Sequence, residues 1–341
     1  MRGVVSRAAP RTLTLALLAG GAVFALLLWW FGVDGVVAAL RQARPLGLAW
    51  YATLSALVLL LVAVRWRLVA RALGGAPPLA RLAAARLAGD AVGALLPLTR
   101  LGGDPLRAVL VRDASPSLAA AGAGVAIDRL LELVGNMLAV IAYVAIFALS
   151  RAEAAPAPRT LAVAMAGLLL PLVALLVMLA RGVRPLAPLH GARARRLLPR
   201  LARWFDGLRR VEDHLLTFFA AHRGTFVAGL ALAVGTEGVI VAQYHALLGA
   251  FGVGLDLPVL LLVLIGGGVA RAVPAPAGLG ALEAVQVLAV GAATGRADLG
   301  FVVALLVRLH ETLLLLAGLA ALALFGVSLT GLPGAVRAAT R

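Results

Sequence analysis

Long apolar runs decide what this chain can become. Thr12–Phe31, Leu46–Val64, Ser117–Leu149, Thr160–Ala180, Thr225–Phe251 and Phe301–Leu329 are each near or above the ~20 residues that a helix needs to cross a bilayer. Lipid offers no partner to backbone N–H and C=O groups, so such runs must satisfy their own backbone as helices. Composition points the same way. The chain is 62% hydrophobic and 13% charged, with a mean hydropathy of +1.02, whereas an ordinary soluble domain is about 25% charged. A soluble protein of 341 residues with this little charge could not cover its own surface. A cytosolic enzyme, a disordered chain and a small secreted domain are therefore excluded. The expected fold class is an all-α polytopic membrane protein.

The few charges are informative. Arg2, Arg7 and Arg11 precede the first run, which ends in Trp29-Trp30. A signal peptide has an apolar core of about 7–15 residues. This longer run with an aromatic interface anchor reads as a retained span with its N-terminus inside. The 31 basic residues are all Arg and stand against 15 acids. Without Lys there is no Schiff base, phosphate-loop lysine or lysine general base. Without Cys there is no disulfide, thiolate nucleophile or sulfur-ligated metal. A pI near 11.8 would suggest nucleic acid in a soluble protein. Here the positive-inside rule and an anionic lipid surface account for it, and no nucleic-acid partner is expected. His310 lies beside Glu311, but there are five His and no His-x-x-x-His spacing. Neither a metal nor a cofactor is expected.

Two stretches break the pattern of clean spans. Residues 80–112 carry Arg81, Arg86, Asp90, Arg100, Asp104 and Arg107. Residues 257–295 are interrupted by Gly266-Gly267-Gly268 and by Pro274, Pro276, Gly278 and Gly280. Broken backbone at membrane depth survives only where protein or a wet cavity covers it, so both read as re-entrant hairpins. They also match each other. Pro97 to Asp104, with Gly102-Gly103, corresponds to Pro274 to Glu283, with Gly278 and Gly280. Each is followed by a long apolar helix with the same inset, Arg129-Leu130-Leu131-Glu132 in one and Arg308-Leu309-His310-Glu311 in the other.

Each half then holds three crossings and one broken hairpin. Three is odd, so the second half starts on the opposite side and the repeats are inverted. Loop charge agrees. The 181–223 loop has ten Arg against three acids and reads as cytoplasmic, while 33–45 and 150–159 have two Arg and one acid each and read as external. The expectation is one membrane domain over 1–330. Repeat 1 covers about 12–150 and repeat 2 about 160–330, with a cytoplasmic linker at 182–223 and a short cytoplasmic tail at 331–341. Six full spans and two re-entrant hairpins are expected in a cytoplasmic membrane, with both termini cytoplasmic. Eight full spans is the alternative. In the linker, Leu197, Leu201, Trp204, Leu208, Val211, Leu215 and Phe218 form one stripe with arginines off it. This predicts an interfacial helix on the anionic leaflet, or a helix that docks a partner.

Inverted repeats with discontinuous helices mark transporters. The candidate substrate-binding residues are Arg107, Arg129, Glu132, Arg308, Glu311, Asp104 and Glu283. An Arg at the bilayer centre costs about 2.5–3.5 kcal/mol on insertion scales, so such residues are kept for packing or for function. The carboxylates would tune and orient arginines that hold a headgroup phosphate. A helix-internal ion pair that only fixes packing is the other reading. Pro97, Gly102, Gly103, Pro274, Gly278 and Gly280 are candidate hairpin and gating positions, since glycine allows close backbone approach. Glu237 is a mid-span carboxylate and a candidate proton carrier, or a hydrogen-bonded structural Glu.

Taken together, the two motif blocks resemble the transmembrane domain of the lysylphosphatidylglycerol synthase family of flippase-like membrane proteins. The matching parts are Leu95-Leu96-Pro97, Gly102-Gly103-Asp104, Arg107, Asp128 to Glu132, Pro274, Gly278-Leu279-Gly280, Glu283 and Arg308. The resemblance covers about residues 12–330. It implies a domain that translocates a lipid, which in the best understood relatives is an aminoacylated phosphatidylglycerol. A separate cytoplasmic domain there makes that lipid. The chain runs about ten residues past its last span, so it reads as the membrane half alone, and a transporter is expected ahead of an enzyme. Its expected partners are lipids with an anionic or zwitterionic headgroup, with a homodimer or a partner synthase beside them. The alternatives are a membrane-embedded glycosyl or headgroup transferase, and a non-catalytic partner of a lipid-synthesis enzyme.

Overall fold

The structure is a computed structural model that describes residues 44–95, 103–150, 158–191, 202–272 and 280–325. The first expected span, the hairpin positions Pro97, Gly102, Pro274 and Gly278, and the tail at 331–341 lie outside the described residues. What is described is helical: α1 Pro45–Ala72, α2 Leu79–Leu95, α3 Asp104–Leu110, α4 Leu118–Ser150, α5 Pro158–Ala180, α6 Ala202–Ala221, α7 Arg223–Ala250, α8 Leu257–Ala272, α9 Ala281–Thr294 and α10 Ala297–Leu324. Among the described residues, α1, α4, α7 and α10 are long and apolar enough to cross a membrane. Together with the shorter apolar helices they make this a polytopic membrane protein.

The repeat is visible in the element boundaries. Pro45–Ala72 returns as Arg223–Ala250, 178 residues on, and Leu79–Leu95 returns as Leu257–Ala272 at the same offset. The turn after α1 has Gly74 at φ 80°, and the turn after α7 has Gly252 at φ 74°. Side chains with a Cβ rarely enter that region, so glycine sets both turns. The equivalent helices α1 and α7 pack together and run antiparallel. Gly47, at the start of α1, meets Ala250 at the end of α7, and further along Ser55 Oγ accepts from Gln243 Nε2 at 2.7 Å. Antiparallel packing of equivalent spans is the relation expected of inverted repeats.

Cross-repeat contacts obey the same relation. Leu131 of α4 packs on Gly229 of α7. The corresponding pair in the other sense is His310 of α10 and Tyr51 of α1, where the Tyr51 hydroxyl is hydrogen-bonded to His310 Nδ1. Close approach is made by small residues. Gly135 faces Ala233, and Gly318 lies against the backbone of Leu87 and the side chain of Ala91. Helices in lipid gain little from the hydrophobic effect between them, so tight van der Waals contact of this kind carries much of the association.

The two helices that flank each break pack against one another. A Cβ on Gly103 would lie 1.8 Å from the Gly89 carbonyl oxygen, so α2 and the start of α3 touch backbone to backbone. At 1.5 Å per residue the 17 residues of α2 span about 25 Å and the seven of α3 about 10 Å. Both fall short of a hydrocarbon core of about 30 Å. The 16 residues of α8 and the 14 of α9 fall short as well. Leu260, Val263, Leu282 and Val290 of this second hairpin are buried against Val303, Leu306 and Val307 of α10.

The linker helix packs in part on the other helices. Leu215, Phe218 and Phe219 of α6 are buried with Val69 of α1, Ile127, Leu130 and Leu131 of α4, and Leu179 of α5. Of the apolar stripe, Leu208 and Val211 are half-buried, and Leu197 and Leu201 lie outside the described residues. Sequence periodicity reports that a face is apolar and says nothing of what covers it.

Candidate functional site: two arginine–carboxylate clusters

In the first half, α1, α2, α3 and α4 bring four guanidiniums against four carboxylates among the described residues. At the centre is Asp128, fully buried, which receives Arg65 Nε at 2.8 Å and Arg107 Nη2 at 2.7 Å. Arg107 also lies 4.4 Å from the ring centroid of Trp66, a cation–π contact that offsets part of its desolvation. Arg65 comes from the apolar helix α1, and its burial is possible because both it and Asp128 are paired. An unpaired charge there would cost several kcal/mol.

Outside this triad the charges alternate in a row. Arg86 Nε donates to Asp90 at 2.6 Å. The Arg86 fork reaches Glu132 with Nη1 at 2.7 Å and Nη2 at 2.9 Å, a bidentate arrangement of the strong kind. Arg129 Nη1 donates to Glu132 at 3.0 Å, and Arg129 Nε donates to Asp104 at 3.2 Å. Arg107 Nη1 holds Asp104 from behind at 3.1 Å. The row therefore reads Asp90, Arg86, Glu132, Arg129, Asp104. Its members are the accessible part of the cluster. Asp90 is 39% exposed, Glu132 20% and Arg129 13%, whereas Arg107 and Asp128 are fully buried.

The second half repeats the core of this device. Arg308 Nη2 lies 2.9 Å from Glu283 Oε1, and Arg308 Nη1 donates to Glu311 at 3.0 Å. Glu283 is fully buried, and its other oxygen accepts the Gly280 backbone N–H at 2.9 Å. Gly280 adopts φ 79°, which turns the end of the broken segment so that its N–H faces the carboxylate. Asp104 with Arg129 and Glu283 with Arg308 share a separation of 25 residues. Acid, Arg and acid thus recur in the same order at the same spacing.

The additions in the first half are absent from the second as matched sets. One repeat further on, Arg65, Arg107 and Asp128 become Gln243, Gln286 and Val307, and Arg86 with Asp90 becomes Leu264 with Gly268. Removing one partner of a buried pair strands the other, so pairs must be gained or lost together. Both Gln243 and Gln286 are buried, and Gln286 Nε2 donates to the Val263 carbonyl at 2.8 Å.

The candidate residues thus fall into two groups. Asp104, Arg107, Arg129 and Glu132 meet in one cluster, while Glu283, Arg308 and Glu311 meet in another. Gly103 and Gly280 sit at the hairpin ends beside them. No described ion pair joins the two groups. Arg107 is sealed behind Asp104 and Asp128. Glu237 is half-buried in α7, where its backbone carbonyl accepts from the Tyr143 hydroxyl at 3.4 Å.

Sequence reasoning missed the roles of Arg65, Arg86, Asp90 and Asp128. Arg65 could have been singled out as a charge inside an apolar helix that the other repeat replaces by Gln243. Among the described residues no group of His, Cys, Asp and Glu is placed to hold a metal ion.

A family model described as the lysylphosphatidylglycerol synthase TM region matches residues 17–332. No curated protein and no solved structure matches the chain.

Proposed function

The chain belongs to the lysylphosphatidylglycerol synthase transmembrane-region family, and from that premise we propose that it is a lipid translocase of the cytoplasmic membrane. The observation that carries this reading is the acid–Arg–acid clamp, present once in each inverted repeat beside a hairpin end. A polar headgroup crossing the bilayer needs compensated charge along its way, while the acyl chains stay in lipid. Two equivalent clamps on oppositely oriented repeats offer such a path, one for each side of the membrane.

The residues in reach of a headgroup are Asp90, Arg86, Glu132, Arg129 and Asp104 in the first half and Arg308 and Glu311 in the second. Arg107 acts from behind by fixing Asp104, and Gly103 and Gly280 let the hairpins close on the clamps. Both termini and the linker at 182–223 face the cytoplasm in this reading.

The test is reconstitution into liposomes with acyl-labelled phospholipids, read by the fraction that an impermeant quencher reaches. Arg129→Ala and Arg308→Ala should each lower the rate by about tenfold or more, as expected for loss of a charge-assisted contact worth about 1.5–3 kcal/mol. Normal transport by both folded variants would remove the clamps from the mechanism.

A further inference from the structure

We infer that the first-half cluster selects a headgroup carrying both a phosphate and a primary ammonium with no net charge, over a net anionic headgroup. The inference rests on the translocase reading. It starts from the charge count within reach of a ligand. The accessible row Asp90, Arg86, Glu132, Arg129, Asp104 has three carboxylates and two guanidiniums. The compensating positive charge sits behind it, in the buried triad Arg65, Asp128, Arg107. The cluster is balanced as a whole, but the face it offers ends in a carboxylate on both sides.

Every nitrogen of Arg86 and of Arg129 already faces a carboxylate, so a phosphate that takes a full guanidinium edge displaces one. For a net anion the displaced carboxylate is left without a counter-charge beside a second negative group, a repulsion that its partial exposure screens only in part. For a headgroup that also carries an ammonium, the exchange is balanced. The phosphate takes Arg86, and the ammonium takes the carboxylate that Arg86 releases. Asp90 is that carboxylate. It is the most exposed member of the row, and its described partner is Arg86 alone, through one contact at 2.6 Å. Glu132 is held from three sides, by Arg65, Arg86 and Arg129, and Asp104 from two, by Arg107 and Arg129. The second repeat has Gly268 and Leu264 where Asp90 and Arg86 stand, so this selectivity belongs to the first half.

The experiment compares three acyl-labelled lipids in proteoliposomes containing the full chain. They are phosphatidylethanolamine, its N-acetyl derivative and phosphatidylglycerol. Acetylation removes the ammonium and leaves the phosphodiester in place, so the first two differ in that charge. Phosphatidylethanolamine should cross about tenfold faster than either anion, and Asp90→Asn should reduce that ratio to near one, a difference of about 1.4 kcal/mol. Short-chain phosphatidylethanolamine should also raise the melting temperature of the detergent-solubilised wild type more than short-chain phosphatidylglycerol does. Equal rates for the three lipids, faster transport of an anion, or an unchanged ratio in Asp90→Asn overturns the selectivity and leaves translocation standing. No acceleration of any of the three lipids overturns the translocase reading and this inference with it.

Discussion

Asp128 shows how one residue can constrain several others. It is fully buried and holds Arg65 and Arg107, so its loss removes the shortest ion pair of two buried guanidiniums. Asp128→Val should destabilise the protein by about 3–5 kcal/mol, the usual cost of breaking a buried pair. Adding Arg65→Gln and Arg107→Gln copies the composition of the second repeat. This triple variant should melt at a higher temperature in detergent than the Asp128→Val single variant. A triple variant less stable than the single one would show that Glu132 and Asp104, the other partners of these guanidiniums, compensate them without Asp128. The Arg-Leu-x-Glu pairs were legible in the sequence because residues three apart share a helix face. Arg65 with Asp128 and Arg86 with Glu132 were not, being 63 and 46 residues apart.

Among the elements, the hairpins depend on glycines that allow backbone contact. Gly103→Ala places a methyl 1.8 Å from the Gly89 carbonyl oxygen, and Gly318→Ala places one 2.3 Å from the Leu87 carbonyl oxygen. Backbone cannot yield as a side-chain end can, so both variants should lower the melting temperature and transport together. Gly235→Ala, where no atom lies within 4 Å, is the control. It should be neutral or gain up to about 1 kcal/mol of helix propensity. A Gly103→Ala variant with unchanged stability would mean that the hairpin is looser than its contacts imply. The existence of the long helices was readable from hydrophobicity alone, but not all their limits, since α1 runs on past Val64 to Ala72 through Arg65, Arg67 and Arg71. What covers Leu215 and Phe218 of α6 was not readable, because an apolar face looks the same whether lipid or protein covers it.

For the whole molecule, the antiparallel packing of α1 and α7 makes a topological prediction. Ala76 and Gly254 are exposed, equivalent between repeats, and sit in the loops that follow these two helices. The chain has no Cys, so Ala76→Cys and Gly254→Cys each introduce a single thiol. An impermeant maleimide should reach residue 76 from the cytoplasmic side and residue 254 from the outside. Labelling of both from one side would make the repeats parallel.

Sequence by itself determined that this chain lives in a membrane, that it is built as a repeat, and that arginines sit inside its spans. These properties are sums or periodicities along the chain, and they survive without knowledge of any contact. The tertiary structure decided which carboxylate each arginine meets, and that Arg107 is sealed while Arg129 is within reach. Ion pairing depends on distances of a few ångströms between different helices and on how much water remains beside them. Helix packing sets both, and no local pattern in the sequence records them.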